Sequence, residues 1–271
     1  MDHPIAFLPY DRYDGRDPFA IAGSDPLADR FFCPEPPTLG RVTLQGDEAR
    51  HLARVRRVEV GQVVELFDGR GANFRAEVED LGRGHVDLRV VGPKSQARPP
   101  ALTLSLASAV PKGDRFDWLV EKATELGVAR LTPLTTERSV VDPRSAKLDR
   151  LRRVVVEASK QSRRDLLMEL DRPIEWPALL KSAGADHRLL AHPGGRPIAG
   201  VGGFRRGESA LLAIGPEGGF SDLEVEQAIS AGWQAVSLGP TTLRVETAAL
   251  AASALLLALA EADPEPEGEA T

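Results

Sequence analysis

The 271-residue chain contains one cysteine, Cys33, and this scarcity excludes several kinds of site. A single thiol cannot form an intramolecular disulfide, and it cannot supply the thiolates of a zinc finger or an iron–sulfur centre. The five histidines form no HExxH motif and no pair at i,i+4, so we expect no metal site. Low cysteine use is typical of a reducing cytoplasm, where we expect the protein to reside.

Long apolar runs and aromatic side chains are scarce as well. The longest apolar stretch, residues 248–260, is shorter than the ~20 residues of a membrane-spanning helix, and no basic-plus-apolar leader opens the chain. We therefore expect no membrane segment, and we expect this stretch to form a buried helix. Aromatic residues make up only 5% of the chain, so the sequence shows no obvious base-stacking surface.

Acidic residues are concentrated at the two ends of the chain. The net charge is −6, of which residues 261–271 contribute −5 and residues 1–29 contribute −4, which leaves +3 on residues 30–260. Both ends are rich in Pro, Gly and acidic residues, as disordered segments are. The mildly basic body permits RNA binding without proving it.

Two different hydrophobic patterns meet at residues 92–100 (GPKSQARPP), which have the composition of a linker. Before this segment, short alternating runs predict a small β-rich module with one helix. After it, strands alternate with helices, which predicts an α/β domain with a mainly parallel sheet. The predicted strands are 42–44, 63–67, 74–78, 86–91, 102–110, 131–135, 188–191, 210–214 and 235–238, and the predicted helices are 47–58, 115–126, 144–162, one capped by Ser221, and 246–260.

Three loops directly follow predicted strands of the second half: 191–195 (AHPGG), 215–219 (GPEGG) and 238–247 (LGPTTLRVET). Ligands of open α/β sheets bind beyond the carboxyl ends of the strands, and glycine lets the backbone approach a ligand closely. GxxxxGK[ST] and a strand-linked GxGxxG are both missing, which disfavours phosphoryl and hydride transfer. On its own, GPEGG is more often a tight turn than a ligand loop, but three such loops together favour a binding site.

These segments resemble the ribosomal small subunit methyltransferase E family, SPOUT-class enzymes that methylate N3 of a uridine in 16S rRNA. The resemblance rests on 214–219 (IGPEGG) followed by 238–248 (LGPTTLRVETA), and it covers residues 30–260 in order. Further matching segments are 30–32 (RFF), 51–57 (HLARVRR), 111–127 (PKGDRFDWLVEKATELG) and 157–163 (EASKQSR).

The resemblance implies an α/β fold of the SPOUT type, with a trefoil-knotted, mainly parallel sheet and a small N-terminal PUA-like β-barrel domain. It implies a homodimer that uses S-adenosyl-L-methionine and acts on 16S rRNA in the small ribosomal subunit, with no metal and no membrane. The barrel then spans residues 30–95 and the methyltransferase domain 96–260. Residues 1–29 form a disordered extension and 261–271 an acidic disordered tail, both outside the family pattern.

The resemblance also assigns the three loops to the cofactor. Thr241, Thr242 and Val245 depart from the family motif, whereas Arg244 and Thr247 remain in register. The matching cofactor-binding residues are Ala191, His192, Pro193, Gly215, Pro216, Glu217, Gly218, Leu238, Gly239, Leu243 and Thr247.

Arg244 and Glu246 are the candidate catalytic residues. Uracil N3 attacks a methyl group only after its proton leaves, and a cation beside the developing anion lowers the barrier. We expect Arg244 to stabilise this anion or to position the nucleotide; the alternative is an ion pair with Glu246 or Glu217. Glu246 is conceivable as the proton acceptor, although solvent can take the proton instead.

Basic residues are the candidates for RNA contact. His51, Arg54 and Arg57 recur every three residues, which predicts a cationic helix face; most such faces are simply solvated, but the resemblance favours phosphate contacts. Residues 141–165 carry a net charge of +4 and extend the basic surface. The candidate RNA-binding residues are Arg30, His51, Arg54, Arg57, Lys112, Arg115 and Arg163.

Two alternatives remain open. A related SPOUT enzyme methylates a ribose 2′-oxygen or another base, and the barrel module and the form of the third loop disfavour it. A catalytically silent assembly factor keeps the fold without the chemistry, and the intact glycine loops disfavour that.

Overall fold

A computed structural model describes residues 29–35, 37, 40–92, 95–142, 148–182 and 184–262. The predicted disordered extension lies outside the described residues except for Asp29, and so does the predicted tail beyond Ala262. Chain contacts separate two compact units, the first built mainly from Pro37–Leu66 and Phe74–Ser95 and the second mainly from the residues after Gln96.

A six-stranded sheet dominates the N-terminal part of the chain. Its strands follow the order β1-β3-β4-β5-β2, and β6 pairs with β4. The pairs β2–β5 and β4–β5 are antiparallel, and alternate residues of β2 are buried, so one face of this strand packs against the module's interior. The strands are β1 (Arg30–Phe32), β2 (Arg41–Gln45), β3 (Val63–Phe67), β4 (Ala72–Leu81), β5 (His85–Val90) and β6 (Ser95–Gln96).

The helix predicted at 47–58 is irregular in the structure. Helix α1 (Gly46–Arg50) continues as a π-helical segment (His51–Arg56), and Arg57 leaves it in a left-handed conformation with φ 54°. A π-helix has wider turns than an α-helix. Residues three apart therefore do not share one face, and the expected stripe of His51, Arg54 and Arg57 along a regular helix is wrong.

The described residues of the second unit form a seven-stranded sheet, five α-helices and one short 3-10 helix, Ile198–Gly200. The strand order of the sheet is β10-β8-β7-β12-β11-β13, with β9 beside β8, and the neighbouring strands run parallel. The strands are β7 (Leu102–Ala109), β8 (Arg130–Thr135), β9 (Glu169–Leu170), β10 (Ile174–Glu175), β11 (His187–Pro197), β12 (Glu208–Ile214) and β13 (Gln234–Ser237), and the helices are α2 (Arg115–Leu126), α3 (Leu148–Gln161), α4 (Trp176–Ser182), α5 (Asp222–Ser230) and α6 (Val245–Ala262).

Alternate residues of each strand point to opposite sides of this sheet, and apolar residues on each side pack against helices, so both faces are covered. On β12, Leu212 packs with α2, α3 and α6, whereas Leu211 and Ala213 pack on the other side. Trp176 of α4 lies at the centre of that second side, with ring centroids 4.8 Å from Phe220 and 5.6 Å from Trp233. The apolar strands thus form the middle layer of a three-layer α/β unit.

Several predicted boundaries differ from the observed ones. The predicted linker contains β6, and β11 continues six residues past its predicted end at residue 191. The short elements β1, β9, β10 and α4 were not predicted. Helix α3 begins at Leu148; the predicted start at 144 lies outside the described residues.

Helix α6 has 18 residues and extends two residues beyond the predicted end at 260. By length and composition alone it could cross a membrane, but one such helix is weak evidence, since core helices pass the same test. Its residues Ala249, Ala252 and Leu256 are fully buried in the core. The expected buried helix is therefore observed, although part of its outer face is exposed.

Candidate functional site

The three loops expected to bind a ligand surround one cavity in the second unit. The cavity has a volume of about 310 Å³ and lies beyond the ends of β12 and β13 and beside β11. Ten of the eleven predicted cofactor residues line it: Ala191, His192, Pro193, Gly215, Pro216, Glu217, Gly218, Leu238, Gly239 and Leu243. Thr247, Arg244 and Glu246 lie outside its lining.

The first loop is a bulge inside β11 rather than a loop at its end. Ala191 and Arg196 both pair with Val236 of β13, so residues 192–195 loop out between them. Within the loop, the Gly194 amide donates to His192 Nδ1 at 3.1 Å. A Cβ on Gly195 would lie 2.4 Å from the Val236 nitrogen, so only glycine allows the two backbones to approach this closely.

The second loop, Gly215–Gly219, is a tight turn that leads into α5. The Gly219 amide donates to the Pro216 carbonyl at 2.8 Å, and a Cβ on Gly215 would lie 2.9 Å from the Phe220 ring. Ser221 caps α5 in the predicted capping box with Glu224. The turn and the capped helix together fix the loop that borders the cavity.

The walls of the cavity combine apolar side chains with backbone groups. Leu238, Leu243, Val245 and Ala248 provide apolar surface, and the glycine loops provide amide and carbonyl groups. Binding sites for small molecules commonly have this mixture and volumes of about 300–1,000 Å³.

Arg115 contacts both carboxylates that were considered as partners for Arg244. Its Nη1 lies 3.4 Å from Glu246 Oε1, its Nη2 lies 3.7 Å from Glu217 Oε1, and its Nε donates to the Lys112 carbonyl at 2.9 Å. Arg244 is exposed and forms no ion pair with the described residues. The alternative of an ion-paired Arg244 is therefore not what the structure shows.

Glu246 is buried at the start of α6, where the helix dipole stabilises the negative charge of its carboxylate. Its Oε1 faces Arg115, and its Oε2 is enclosed and accepts no hydrogen bond from the described residues. In this conformation the carboxylate is held away from the cavity.

The candidate RNA-binding residues are dispersed. Arg30 is buried, with its Nε 3.5 Å from Glu65 Oε1, so the expectation that it contacts phosphate is corrected. His51 is half-buried, with its ring edge-on to Phe31. Arg115 is held by the two carboxylates described above. The remaining candidates are exposed: Arg54, Arg57, Lys112 and Arg163.

Burial is the main cause of the shifted pKa values of two side chains in the second unit, Cys33 and Arg164. Burial raises the pKa of Cys33 to about 11. Burial also lowers the pKa of Arg164, which donates to the Thr124 carbonyl, to about 10. Arg164 is thus partly enclosed, and of the two adjacent arginines Arg163 is the exposed one.

Within the part of the chain that the structure describes, one group of residues has the spacing of metal ligands. Asp80, His85 and Asp87 of the first unit have ligand atoms within 4.8 Å of one another, on a partly exposed surface. Exposed groups of this kind are common without a metal, and the expectation of no metal site stays a prediction.

The sequence did not point to Arg138, which contacts the second loop. Its Nη1 donates to the carbonyls of Gly218 and Phe220 at 2.9 and 3.3 Å. The available signal was its place just after β8, whose carboxyl end lies at the same edge of the sheet as the loops.

Comparison with known proteins identifies the family. Residues 98–257 match the model of an RNA methyltransferase domain, and residues 44–91 match that of an RNA methyltransferase PUA domain. Ribosomal RNA small subunit methyltransferase E of Synechocystis is 35% identical over 76% of this chain and 69% of its own length. The enzyme of that name from Mycobacterium bovis is 35% identical over 82% of this chain and 88% of its own length.

A solved structure shows the same likeness. The ribosomal RNA small subunit methyltransferase E of Neisseria gonorrhoeae, bound to S-adenosyl methionine, has a TM-score of 0.78 and 30% identity over 86% of this chain and 98% of its own. The expected fold class, SPOUT-type with an N-terminal PUA-like domain, is confirmed. The chain belongs to the ribosomal RNA small subunit methyltransferase E family and carries an RNA methyltransferase domain.

Proposed function

We propose that this protein uses S-adenosyl-L-methionine to methylate N3 of a specific uridine in 16S rRNA of the small ribosomal subunit. The observation that carries the proposal is the cavity of about 310 Å³ that the three family-motif loops enclose. The fold and the relatives' names support the same reaction class.

The cavity lining fits this cofactor. The apolar walls formed by Leu238, Leu243 and Val245 suit the flat adenine ring, and the backbone amides and carbonyls of the glycine loops suit its polar atoms. Glu217 adds a partly exposed carboxylate that can accept hydrogen bonds. When bound, the cofactor supplies a sulfonium methyl group.

The protein contributes position and charge to the transfer. The bond that forms joins uracil N3 to the methyl carbon, the sulfur–carbon bond breaks, and the N3 proton passes to solvent. Arg244 stabilises the negative charge on the uracil ring once the proton has left, because an exposed guanidinium next to the cavity-lining residues Leu243 and Val245 can reach a bound base. Placing N3 ~3 Å from the methyl lowers the barrier by several kcal/mol more.

Glu246 acts as a positioning residue in this proposal. Its carboxylate holds the Arg115 guanidinium, and Arg115 in turn holds Glu217 of the second loop. The Oε2 atom is buried and Glu246 does not line the cavity, which favours solvent as the proton acceptor.

The RNA is held by exposed cations of both units. Arg54 and Arg57 extend from the first unit, and Lys112 and Arg163 from the second. Contacts from these residues to phosphate position the RNA without reading its sequence.

The protein acts as a homodimer in the cytoplasm. The outer face of α6 is apolar, with Leu255 43% exposed beside Ala251, Ala254 and Ala258, and a second copy of the chain would cover it. Light scattering after size exclusion should give twice the 29.2 kDa chain mass, and Leu255→Glu should give the monomer mass. A wild-type monomer at micromolar concentration would contradict this assignment.

The decisive experiment is nucleoside mass spectrometry after incubating the protein with S-adenosylmethionine and unmodified 30S subunits. New 3-methyluridine is the expected product. A 2′-O-methylated nucleoside or another methylated base would keep the fold class and reject the uracil-N3 assignment. Tight 30S binding without any methylation would indicate a silent assembly factor.

A further inference from the structure

Arg138 lies in a turn that follows β8 and reaches across to the second cavity loop. The turn is closed by the Ser139 amide, which donates to the Thr136 carbonyl at 3.1 Å. From this turn, Arg138 Nη1 donates to the Gly218 carbonyl at 2.9 Å and to the Phe220 carbonyl at 3.3 Å. Among the described residues these carbonyls are its only hydrogen-bond partners.

A buried carboxylate fixes the backbone from which Arg138 extends. Glu224 Oε1 accepts from the Glu137 amide at 2.8 Å, while its Oε2 accepts from the Ser221 amide at 2.9 Å. Glu224 is 6% exposed, so its bond to Ser221 is buried and its bond to Glu137 is partly shielded from water. The capping box of α5 therefore also anchors the turn after β8, and Arg138 starts from a defined position.

The glycine loop needs such an external hold. Gly218 and Gly219 have no side chains to restrict the backbone, and glycine loses more conformational freedom on ordering than any other residue. A loop that is already held in its ligand-binding conformation loses no further conformational entropy when the ligand binds, so the ligand binds more tightly. Arg138 holds the Gly218 carbonyl from outside the cavity, since Arg138 does not belong to the lining.

We propose that Arg138 is a positioning residue that presets the Gly215–Gly219 loop for the cofactor. The inference rests on the proposed function, because it takes the ligand of this cavity to be S-adenosylmethionine. Arg138 acts through the loop and does not touch the reacting atoms. Its loss should therefore weaken cofactor binding and leave the chemical step unchanged at saturating cofactor.

The test compares Arg138→Gln, Arg138→Lys and the control Arg172→Gln. Glutamine removes the guanidinium with its Nη1 donor and its charge, lysine keeps a charged donor, and Arg172 is an exposed arginine outside the cavity lining. Calorimetric titration with S-adenosylmethionine gives the Kd, assays on 30S subunits give KM for the cofactor and kcat, and thermal melting gives Tm.

For Arg138→Gln we expect a Kd and a KM about tenfold higher, the change that ~1.4 kcal/mol produces, with kcat within about twofold of wild type. Arg138→Lys should recover part of the affinity, and Arg172→Gln should match wild type. Because Arg138 is exposed, Tm should change little.

Three results would overturn the inference. The first is an unchanged Kd for S-adenosylmethionine in Arg138→Gln, and the second is a lower kcat of that variant at saturating cofactor. The third is a lower Tm of Arg138→Gln together with an Arg138→Lys variant that binds the cofactor no better than Arg138→Gln. A wild-type protein that does not bind S-adenosylmethionine would instead reject the proposed function itself. The two failures are therefore distinguishable.

Discussion

At the scale of single residues, the two arginines near the cavity differ in what holds them. Arg115 is fixed between Glu217 and Glu246, whereas Arg244 is exposed and without an ion pair among the described residues. A guanidinium that is already neutralised by two carboxylates has less charge to offer a substrate anion. This difference supports the proposal that Arg244 stabilises the negative charge of the transition state and that Arg115 supports the loop.

Arg244→Ala should lower kcat about a hundredfold, the effect of removing one donor to a developing anion. The Kd for S-adenosylmethionine should stay within about threefold of wild type, because Arg244 does not line the cavity. Steady-state methylation of 30S subunits at saturating cofactor measures kcat, and calorimetry measures the Kd. Arg205→Ala, which removes an exposed arginine elsewhere, is the control. Equal losses in rate and in cofactor affinity would refute the assigned role.

Cys33 links burial to the pH dependence of stability. Burial raises the pKa of its thiol from 9.0 to about 11, so the folded protein keeps the proton after the unfolded chain has lost it. The free energy of unfolding should therefore fall as the pH rises from about 9 to about 11, by at most about 2 kcal/mol.

Denaturant titrations at pH 8, 9, 10 and 10.5 measure this loss for wild type and for Cys33→Ala. The difference between the two proteins cancels the contributions of the lysines and tyrosines, which titrate in the same range. Wild-type and variant profiles that run parallel above pH 9 would show that the thiol contributes nothing.

At the scale of secondary-structure elements, the irregular pairing of β11 with β13 shapes the cavity. Val236 pairs with Ala191 before the bulge and with Arg196 after it, so residues 192–195 loop out of the strand, and His192 and Pro193 line the cavity. Bulges of this kind redirect the chain next to functional sites. The tight contact at Gly195 keeps the bulge and β13 together.

Gly195→Ala should destabilise the protein by about 1–3 kcal/mol, the usual cost of inserting an atom into a packed position. The added Cβ would meet the backbone of Ala235 and Val236, which cannot move aside as a flexible side chain can. The cofactor affinity should fall together with the stability. The reason is that the bulge of β11 and the loop after β13 lie next to this contact and both line the cavity. Chemical denaturation and calorimetry measure the two effects.

Gly202→Ala is the matched control for this substitution, because a Cβ at Gly202 meets nothing within 4 Å and its φ is not positive. It should leave both the stability and the affinity close to the wild-type values. A Gly195→Ala protein as stable as Gly202→Ala would show that the β11–β13 contact relaxes freely.

The sequence predicted those elements that have a clear periodicity. The longer strands of the second sheet, the capping box at Ser221 and the three ligand loops followed from alternation and glycine placement. Two-residue strands such as β9 and β10 have no period to detect, and the bulge in β11 depends on its register with β13. The contact of Arg138 with Gly218 joins residues 80 positions apart, so local spacing carried no trace of it.

At the scale of the whole molecule, the distribution of charge decides how RNA can be bound. The chain is acidic overall, with a net charge of −6, but the acids are concentrated at its ends and the body is basic. In the first unit, Arg54 is an exposed cation within the π-helical segment, and Arg57 is the exposed left-handed residue that ends it. Arg56, between them, is engaged with Asp29 at 3.3 Å.

If Arg54 and Arg57 contact phosphates, neutralising both should flatten the salt dependence of RNA binding. Each phosphate contact contributes about 0.7–0.9 to the slope of log K against log salt, so Arg54→Gln/Arg57→Gln should reduce the slope by about 1.4–1.8. Filter binding to 16S rRNA over a range of salt concentrations measures it. The matched control is Arg75→Gln/Arg83→Gln, which removes the same charge from other exposed positions of this unit. Equal slopes for the two double variants would mean that the arginines act through net charge alone, and an unchanged slope for Arg54→Gln/Arg57→Gln would leave them as a solvated surface.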